Sequence, residues 1–238
     1  ESLTAPFRQT SLAWAVGVGG LFGYHFLIFL ALKISPPVQA NLINYLWPLM
    51  IVLFSALLPG QTLRPRHIAG ALAGFSGACL LVTGGNTLMP APEYIPGYVA
   101  ALAAGLVWTG YSLASSRLTS VSTNAIGAFC LVAAILSTGA HILFETTVVP
   151  STGEWVALVC LGLGPAGGAF FLWDWGLKRG HVRALGGIAY TAPLSSTALL
   201  ILFGPAVLTA TIAISAILII GGAILAAGDL LRRAPRDV

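Results

Sequence analysis

Apolar residues run along this chain in long blocks, and polar ones gather in the short gaps between them. Eight blocks can be read, at about 11–32, 37–58, 67–84, 97–117, 124–144, 154–177, 183–204 and 208–230. Each approaches the roughly 20 residues that an α-helix needs to cross the hydrocarbon core of a bilayer. The gaps carry residues that stop or turn a helix: Ser35-Pro36-Pro37, Pro59-Gly60, Thr83–Pro96, Pro150–Gly153 and Gly204-Pro205. Proline lacks the amide hydrogen that a helix interior uses, and glycine adds backbone freedom, so both punctuate. The longest gap, Thr83–Pro96, contains Gly84-Gly85-Asn86 and three prolines and reads as the seam between two halves. The expected fold class is an all-α polytopic membrane protein with eight helices present.

The blocks on either side of that seam echo one another. Gly23, Phe26, Leu27, Leu32, Lys33, Tyr45 and Pro48 recur 145 positions later as Gly168, Phe171, Leu172, Leu177, Lys178, Tyr190 and Pro193. The same offset continues at Leu49/Leu194, Gly77/Gly222 and Leu80/Leu225. A repeat this long in so apolar a chain marks a duplicated membrane transporter. Residues 97–232 hold five of the predicted helices, and the last three match the three within residues 1–85. The offset puts the start of the first copy about fifty residues ahead of Glu1. The expectation is a ten-helix parent of five-plus-five organisation, in which residues 1–85 are the rest of an N-terminal repeat whose first two helices are absent. Five is odd, so the second copy enters the bilayer from the opposite side and the repeats are inverted.

Charge sharpens the helix count. Allotting the gaps alternately to two sides places ten of the eleven basic residues together: Arg8, Arg64, Arg66, Arg117, Lys178, Arg179, Arg183, Arg232, Arg233 and Arg236. The other side has Lys33, with Glu93, Glu145 and Glu154. Cytoplasmic loops carry the excess of Lys and Arg, so the basic side and the C-terminus are expected to be cytoplasmic. A missed or invented helix after residue 60 would scramble this sorting.

Composition narrows the class. Hydrophobic residues make up 57% of the 238 positions and charged residues 8%, against roughly 25% charged in soluble domains. The net charge of +4 is split among short loops, so it signals topology and not a nucleic-acid partner. Cys79, Cys130 and Cys160 lie in apolar blocks without CxxC spacing. They argue against a disulfide framework or a zinc site and read as small buried hydrophobes. No glycine-rich Lys-Ser/Thr nucleotide loop occurs, which argues against ATP-driven pumping. No cofactor or metal is expected, nor an enzymatic activity.

The run Ala31-Leu-Lys-Ile-Ser-Pro-Pro-Val-Gln-Ala-Asn-Leu-Ile-Asn-Tyr-Leu-Trp-Pro48, followed by Pro59-Gly60 and the glycine-spaced helix Gly70–Leu81, resembles the EamA-type drug/metabolite transporters. Within them, Asn-Tyr-Leu-Trp-Pro at 44–48, preceded by Gly-Tyr-His at 23–25, is similar to the YddG-type aromatic amino-acid exporters. The resemblance covers essentially the whole chain. It implies that family's helical fold and the export of aromatic and other apolar amino acids across a bacterial inner membrane. The chain departs from the family's pattern in lacking the first two helices, so substrate contacts from them cannot be named.

Polar and aromatic side chains at mid-membrane depth face a cavity or another helix, because lipid offers no hydrogen bonds. Asn41, Asn44, Tyr45 and Pro48 fall at i, i+3, i+4 and i+7 of one block and form a stripe, with Trp47 beside it. The asparagines either bridge helices or meet substrate. Tyr45 and Trp47 lie too deep for an interfacial belt and read as cavity lining. Pro48 and Pro193 are either packing kinks or loosen their helices to expose carbonyls for a substrate ammonium. Tyr24 and His25 fall near the middle of the first block. His25 reads as a packing residue, a substrate hydrogen-bond partner or a proton-coupling group. Trp108, Tyr111, Ser112 and Ser115 share a face, with Trp108 a cavity candidate and the serines suited to close helix packing. Tyr190, the repeat partner of Tyr45, completes an aromatic set.

Other polar residues have simpler readings. Asp174, four positions before Lys178, suggests an ion pair on one helix face. Trp173 and Trp175 suit an interfacial belt, and His141 a solvated position. Gly110-Tyr111-Ser112 with a distant histidine lacks the base and oxyanion donors of an intramembrane protease.

The substrate-binding set is therefore Tyr24, His25, Asn44, Tyr45, Trp47, Pro48, Trp108, Tyr111, Tyr190 and Pro193. Such an uncharged aromatic pocket can stack on a ring and attract an ammonium. The lack of intramembrane cations in it argues against sugar phosphates and nucleotides. The expected function is a monomeric exporter of aromatic and other apolar amino acids, embedded in the bilayer and working by alternating access. An exporter of amphipathic drugs or other metabolites is the alternative. A passive channel fits less well, because the polar groups cluster at mid-depth instead of forming a continuous stripe.

Overall fold

Helix follows helix wherever the apolar blocks predicted one, but three blocks are interrupted from within. The computed structural model describes residues 5–59, 62–87, 91–203 and 208–231. Within these residues the long elements are α1 (Ser11–Ile34), α2 (Pro37–Asn44), α3 (Trp47–Phe54), α4 (Pro65–Thr83), α5 (Ile95–Ser115) and α6 (Ala125–Phe144). They continue as α7 (Thr152–Leu163), α8 (Ala169–Arg179), α9 (Val182–Ala189), α10 (Thr191–Phe203) and α11 (Ala210–Leu231), with no strand among the described residues. Arg232, Arg233 and Arg236, Gly60, the Gly204-Pro205 turn, residues 88–90 of the seam and the last position of the span 97–232 lie outside them.

Caps set the helix ends. Thr10 opens α1 by accepting the amide hydrogen of Ala13 at 3.2 Å. Gly84, in the left-handed region with φ 62°, closes α4 where a side chain would be strained. Ser151 and Glu154 form a reciprocal capping box at the start of α7. Among the described residues, six segments are long and apolar enough to cross a membrane: Ser11–Ile34, Pro37–Leu57, Pro65–Thr83, Pro92–Ser115, Ala125–Phe144 and Thr152–Arg179. The α9–α10 pair and α11 supply the remaining two apolar segments of the eight expected.

The expected helix at 37–58 is two helices, because the ladder opens at Tyr45 and Leu46. Pro48 lacks an amide hydrogen, and its ring obstructs the carbonyl one turn earlier, so the break falls three residues before the proline. The expected helix at 183–204 opens likewise at Tyr190, three residues before Pro193. The block at 154–177 carries a single π-helical turn at Gly164–Gly168, where glycines and a proline weaken the regular ladder. These interruptions keep the register of the repeat. The ends of α1, α2 and α4's first residue (Ile34, Asn44, Pro65) lie 145 positions before Arg179, Ala189 and Ala210, the matching ends and start of α8, α9 and α11.

Two helix pairs carry the packing. Helices α1 and α5 lie together, with Gly20 of α1 making room for Tyr111, whose Cδ2 would stand 2.5 Å from an added Cβ. Helices α4 and α11 approach almost backbone to backbone. A Cβ on Gly70 would fall 2.6 Å from the Gly222 carbonyl, and one on Gly77 2.9 Å from the Ser215 carbonyl. Rising numbers on α4 meet falling numbers on α11, so this pair is antiparallel. Small residues at such a contact let van der Waals packing act where lipid supplies no hydrophobic drive between helices. Cys79 and Cys130 are half-buried, but Cys160 is exposed on α7, contrary to the expectation for all three. The described part of α7 buries no residue in the bundle.

Candidate functional site

Trp108, near the middle of α5 and 7% exposed, is the hub of an aromatic cluster. Its ring lies 5.0 Å from Tyr24 of α1, 5.1 Å from Tyr111, 5.7 Å from Phe170 and 6.1 Å from Trp173, the last nearly parallel at 27°. Trp47, the first residue of α3, meets Trp173 edge-on at 5.5 Å and Trp108 at 6.3 Å. The helix break delivers Trp47 here, since a continuous helix from Pro37 would turn it elsewhere. His25 sits at the rim, 5.1 Å from Tyr24 and 5.5 Å from Phe170, both edge to face.

The polar atoms of this cluster are few. His25 Nδ1 lies 2.6 Å from the Leu21 carbonyl. A carbonyl only accepts, so Nδ1 donates, and in the neutral ring Nε2 keeps its lone pair. Asn44 donates from Nδ2 to the Tyr24 hydroxyl at 3.2 Å. Its Oδ1 is buried with no hydrogen-bond partner. A buried unmet acceptor is costly, and this one stands beside the aromatic faces. Two acceptors and several π faces with no carboxylate among them can hold an ammonium by hydrogen bonds and cation-π attraction.

Space borders the cluster at His25 and Phe170. A cavity of about 500 Å³ is lined by Phe22, His25, Phe26, Phe29, Lys33 and Glu145, among others. A neighbouring space of about 360 Å³ shares Phe22, His25 and Phe29 and reaches Phe170. At the mouth, His141 pairs with Glu145 at 2.7 Å through Nδ1 and meets Thr147 Oγ1 at 2.9 Å through Nε2. The hydrogen bond from His141 first, then the charges of His141 and Lys33, holds the Glu145 carboxyl below its ordinary value despite some desolvation.

A buried ion pair sits beside Tyr111. Asp174 of α8, 1% exposed, accepts from Ser115 at 2.6 Å, Thr123 at 2.8 Å and Lys178 at 2.7 Å. Lys178 also donates to the Val121 carbonyl at 2.8 Å. This knot ties α5, the segment before α6 and α8 together directly beneath Tyr111. The space left beside Tyr111, Ser115 and Asp174 is about 10 Å³, room for one water at most.

The structure thus gathers Tyr24, His25, Asn44, Trp47, Trp108 and Tyr111, as the depth argument expected. It adds Phe170 and Trp173. Trp173 is not interfacial: it stacks on Trp108 and donates from Nε1 to Ser112 Oγ at 3.1 Å. Trp175 points away, 51% exposed, with the Arg179 guanidinium 5.2 Å over its ring. The expected Asp174–Lys178 pair is present. Tyr45 is half-buried, and Asn41 is too. Pro48 is buried at the break. Tyr190 stands apart from the cluster, fully buried with Phe75, Ala78 and Ile219, and Pro193 is buried on the same broken segment. Two carbonyls near Pro48 are taken: Tyr45 O accepts from Tyr190 at 3.2 Å, and Trp47 O from Thr109 at 3.3 Å.

An all-helical fold of membrane-length segments, with an aromatic cluster beside a cavity, is the arrangement of a small-molecule transporter. The chain matches the model of the EamA-like transporter family over residues 4–83 and 95–228, and it belongs to that family. It is 52% identical over 222 residues to the aromatic amino acid exporter YddG of Ancylobacter novellus, covering 92% of this chain and 77% of that one. The aromatic amino acid exporter YddG of Salmonella typhimurium is 26% identical over 68% of this chain and 57% of its own length. A crystal structure described only as that of a protein is 51% identical, with a TM-score of 0.88 over 97% of this chain and 80% of the other.

Proposed function

We propose that this protein exports aromatic and other apolar amino acids from the bacterial cytoplasm by alternating access. The observation that carries this reading is the Trp108-centred cluster, with the His25 lone pair and the unmet Asn44 Oδ1, beside the cavity that His25 lines. The relative from Ancylobacter novellus, named for aromatic amino acid export, supports it. A substrate ring stacks against the edge of the Tyr24, Trp47 and Trp108 cluster. Its ammonium meets Asn44 Oδ1 and His25 Nε2, with Tyr45 and Tyr111 alongside. Pro48 and Tyr190 act by shaping the break between Asn44 and Trp47, and Pro193 by breaking the segment that carries Tyr190. The protein acts as a transporter and not an enzyme, without cofactor, and as a monomer.

The topology follows from the charge sorting. The Lys178 end and the C-terminus are cytoplasmic, so the open cavity at Lys33 and Glu145 faces outward. The antiparallel contact of α4 with its repeat partner α11, and the shared 145-residue register of helix ends, support inverted repeats spanning 1–85 and 97–232. Inverted repeats allow two mirror-related packings, one open to each side. In the present one the Asp174 knot closes the cytoplasmic end. The phenylalanine-lined shaft at Phe22, Phe26 and Phe29 would also pass amphipathic drugs.

Liposomes carrying the purified protein and loaded with radiolabelled phenylalanine test the reading. Release faster than from protein-free vesicles, accelerated by unlabelled phenylalanine outside, is expected. Release no faster than the control sinks the aromatic substrate; release without saturation makes the protein a channel.

A further inference from the structure

The Tyr190 hydroxyl occupies a place in another helix's ladder. It accepts the Leu49 amide hydrogen at 3.1 Å and donates to the Tyr45 carbonyl at 3.2 Å. Tyr45 and Leu49 are four residues apart, the spacing at which a regular helix would bond these two groups directly. The open rung is therefore bridged by one side-chain oxygen serving as acceptor and donor at once, a recognised cause of sharp helix bends. Normal i→i−4 bonding resumes one residue later, where the Met50 amide hydrogen meets the Leu46 carbonyl at 2.9 Å.

The seat of the Tyr190 ring is built for it. Gly74 of α4 leaves the necessary space: a Cβ there would fall 2.6 Å from Tyr190 Cδ2. Phe75 and Ile219 close the sides, and the ring is 0% exposed. The repeat supplies a comparison inside the same chain. Tyr45 is the counterpart of Tyr190, and Ile219 is the counterpart of Gly74. Ile219, itself fully buried, fills the position where a Tyr45 ring would need a glycine. Tyr45 has no matching seat, and its hydroxyl makes no hydrogen bond among the described residues.

We propose that Tyr190 is a positioning residue: its hydroxyl replaces the missing rung between Tyr45 and Leu49, fixes the bend at which Asn44 and Trp47 enter the aromatic site, and frees its repeat counterpart Tyr45 to face the substrate. This deepens the transporter reading and rests on it for the substrate. The bridge itself does not. Two residues that are equivalent by descent thus have divided roles, and the division is set on α4 and α11 by one glycine and one isoleucine.

Hydrogen exchange on the full chain in nanodiscs, without substrate, separates the bridge from the transport reading. In Tyr190→Phe the Leu49 amide loses its partner, and Pro48 keeps the rung from closing. Exchange in the peptide spanning 44–50 should rise about tenfold, with no rise in Tyr45→Phe. Gly74→Ala, which displaces the ring, should copy Tyr190→Phe, and the double variant should be no worse than either single one. In phenylalanine transport, Tyr190→Phe should raise the half-saturation concentration about tenfold while the maximal rate stays within about threefold. Unchanged exchange in Tyr190→Phe, or an equal rise in Tyr45→Phe, overturns the proposal. So does an unchanged half-saturation concentration in a variant whose exchange has risen. Absence of phenylalanine transport by the wild type removes the transport reading and leaves the exchange comparison to judge the bridge.

Discussion

Asp174 Oδ2 and Lys178 Nζ lie 2.7 Å apart on one helix face, their side chains 1% and 9% exposed. Neither is left with its partner alone. Ser115 and Thr123 occupy the carboxylate, and the Val121 carbonyl takes a second ammonium hydrogen. A withdrawn ion pair is tolerable in such company because both carboxylate oxygens and two ammonium hydrogens have partners.

Removing one member strands the other. Asp174→Ala is expected to destabilise the folded protein by about 3–5 kcal/mol, read as a lower melting temperature in detergent. The paired replacement Asp174→Asn with Lys178→Met should lose much less. Equal melting of Asp174→Ala and wild type would show that the knot holds nothing shut.

Trp108 and Trp175 should respond oppositely to truncation. Trp108→Ala removes the ring that four other aromatic side chains share with Trp47. Phenylalanine binding by calorimetry is expected to weaken at least about tenfold, the scale of one to two aromatic contacts. Trp175→Ala, outside the cluster, should bind within about twofold of wild type.

Glycine replacements discriminate between contact and empty space. Gly70→Val places atoms on the α11 backbone, which cannot yield, and should abolish the monodisperse peak in size-exclusion chromatography. Gly110→Ala meets nothing within 4 Å and should run as wild type. A well-behaved Gly70→Val would mean that α4 and α11 do not touch as described.

The mouth of the cavity should respond to acid. The Glu145 carboxyl is held below its ordinary value of 4.5, first by the His141 hydrogen bond. A depressed carboxyl stabilises the clasp fully above that ordinary value, and the stabilisation is lost as pH falls through the lower folded one. Pepsin should therefore cut residues 145–151 of the wild type slowly at pH 4.5 and faster as the pH drops. Glu145→Gln should be cut at a rate that does not change over the same interval, after correction for pepsin's own activity.

Much of this was legible from the chain. The apolar blocks with their proline and glycine gaps located the helices, because length and lipid leave few other solutions. Depth alone brought Tyr24, His25, Trp47 and Trp108 together, since aromatic and polar groups at mid-membrane have few places to go. Depth misled for Trp173, which lies near a helix end yet turns inward onto Trp108. The repeat held a usable signal: Phe170 is the counterpart of His25, and the two rings meet at 5.5 Å. The breaks were only half readable. Pro48 and Pro193 announced weakness, but which carbonyl is freed, and what then captures it, depends on a hydroxyl arriving from 141 residues away.

The glycine contact between α4 and α11 has a mechanical consequence. Its backbones touch at Gly70, Gly77 and Gly222, with Leu218, Ile219 and Leu225 of α11 packed beside them, so the contact resists compression while the glycines offer little to catch against twisting. If one half rocks against the other about an axis through this contact, displacement grows with distance from it, as at the rim of a wheel. The closest-fitted part of the molecule then travels least. The aromatic cluster and the Asp174 knot, farther out, would then sweep a longer arc, so a few degrees at the hub would be magnified there.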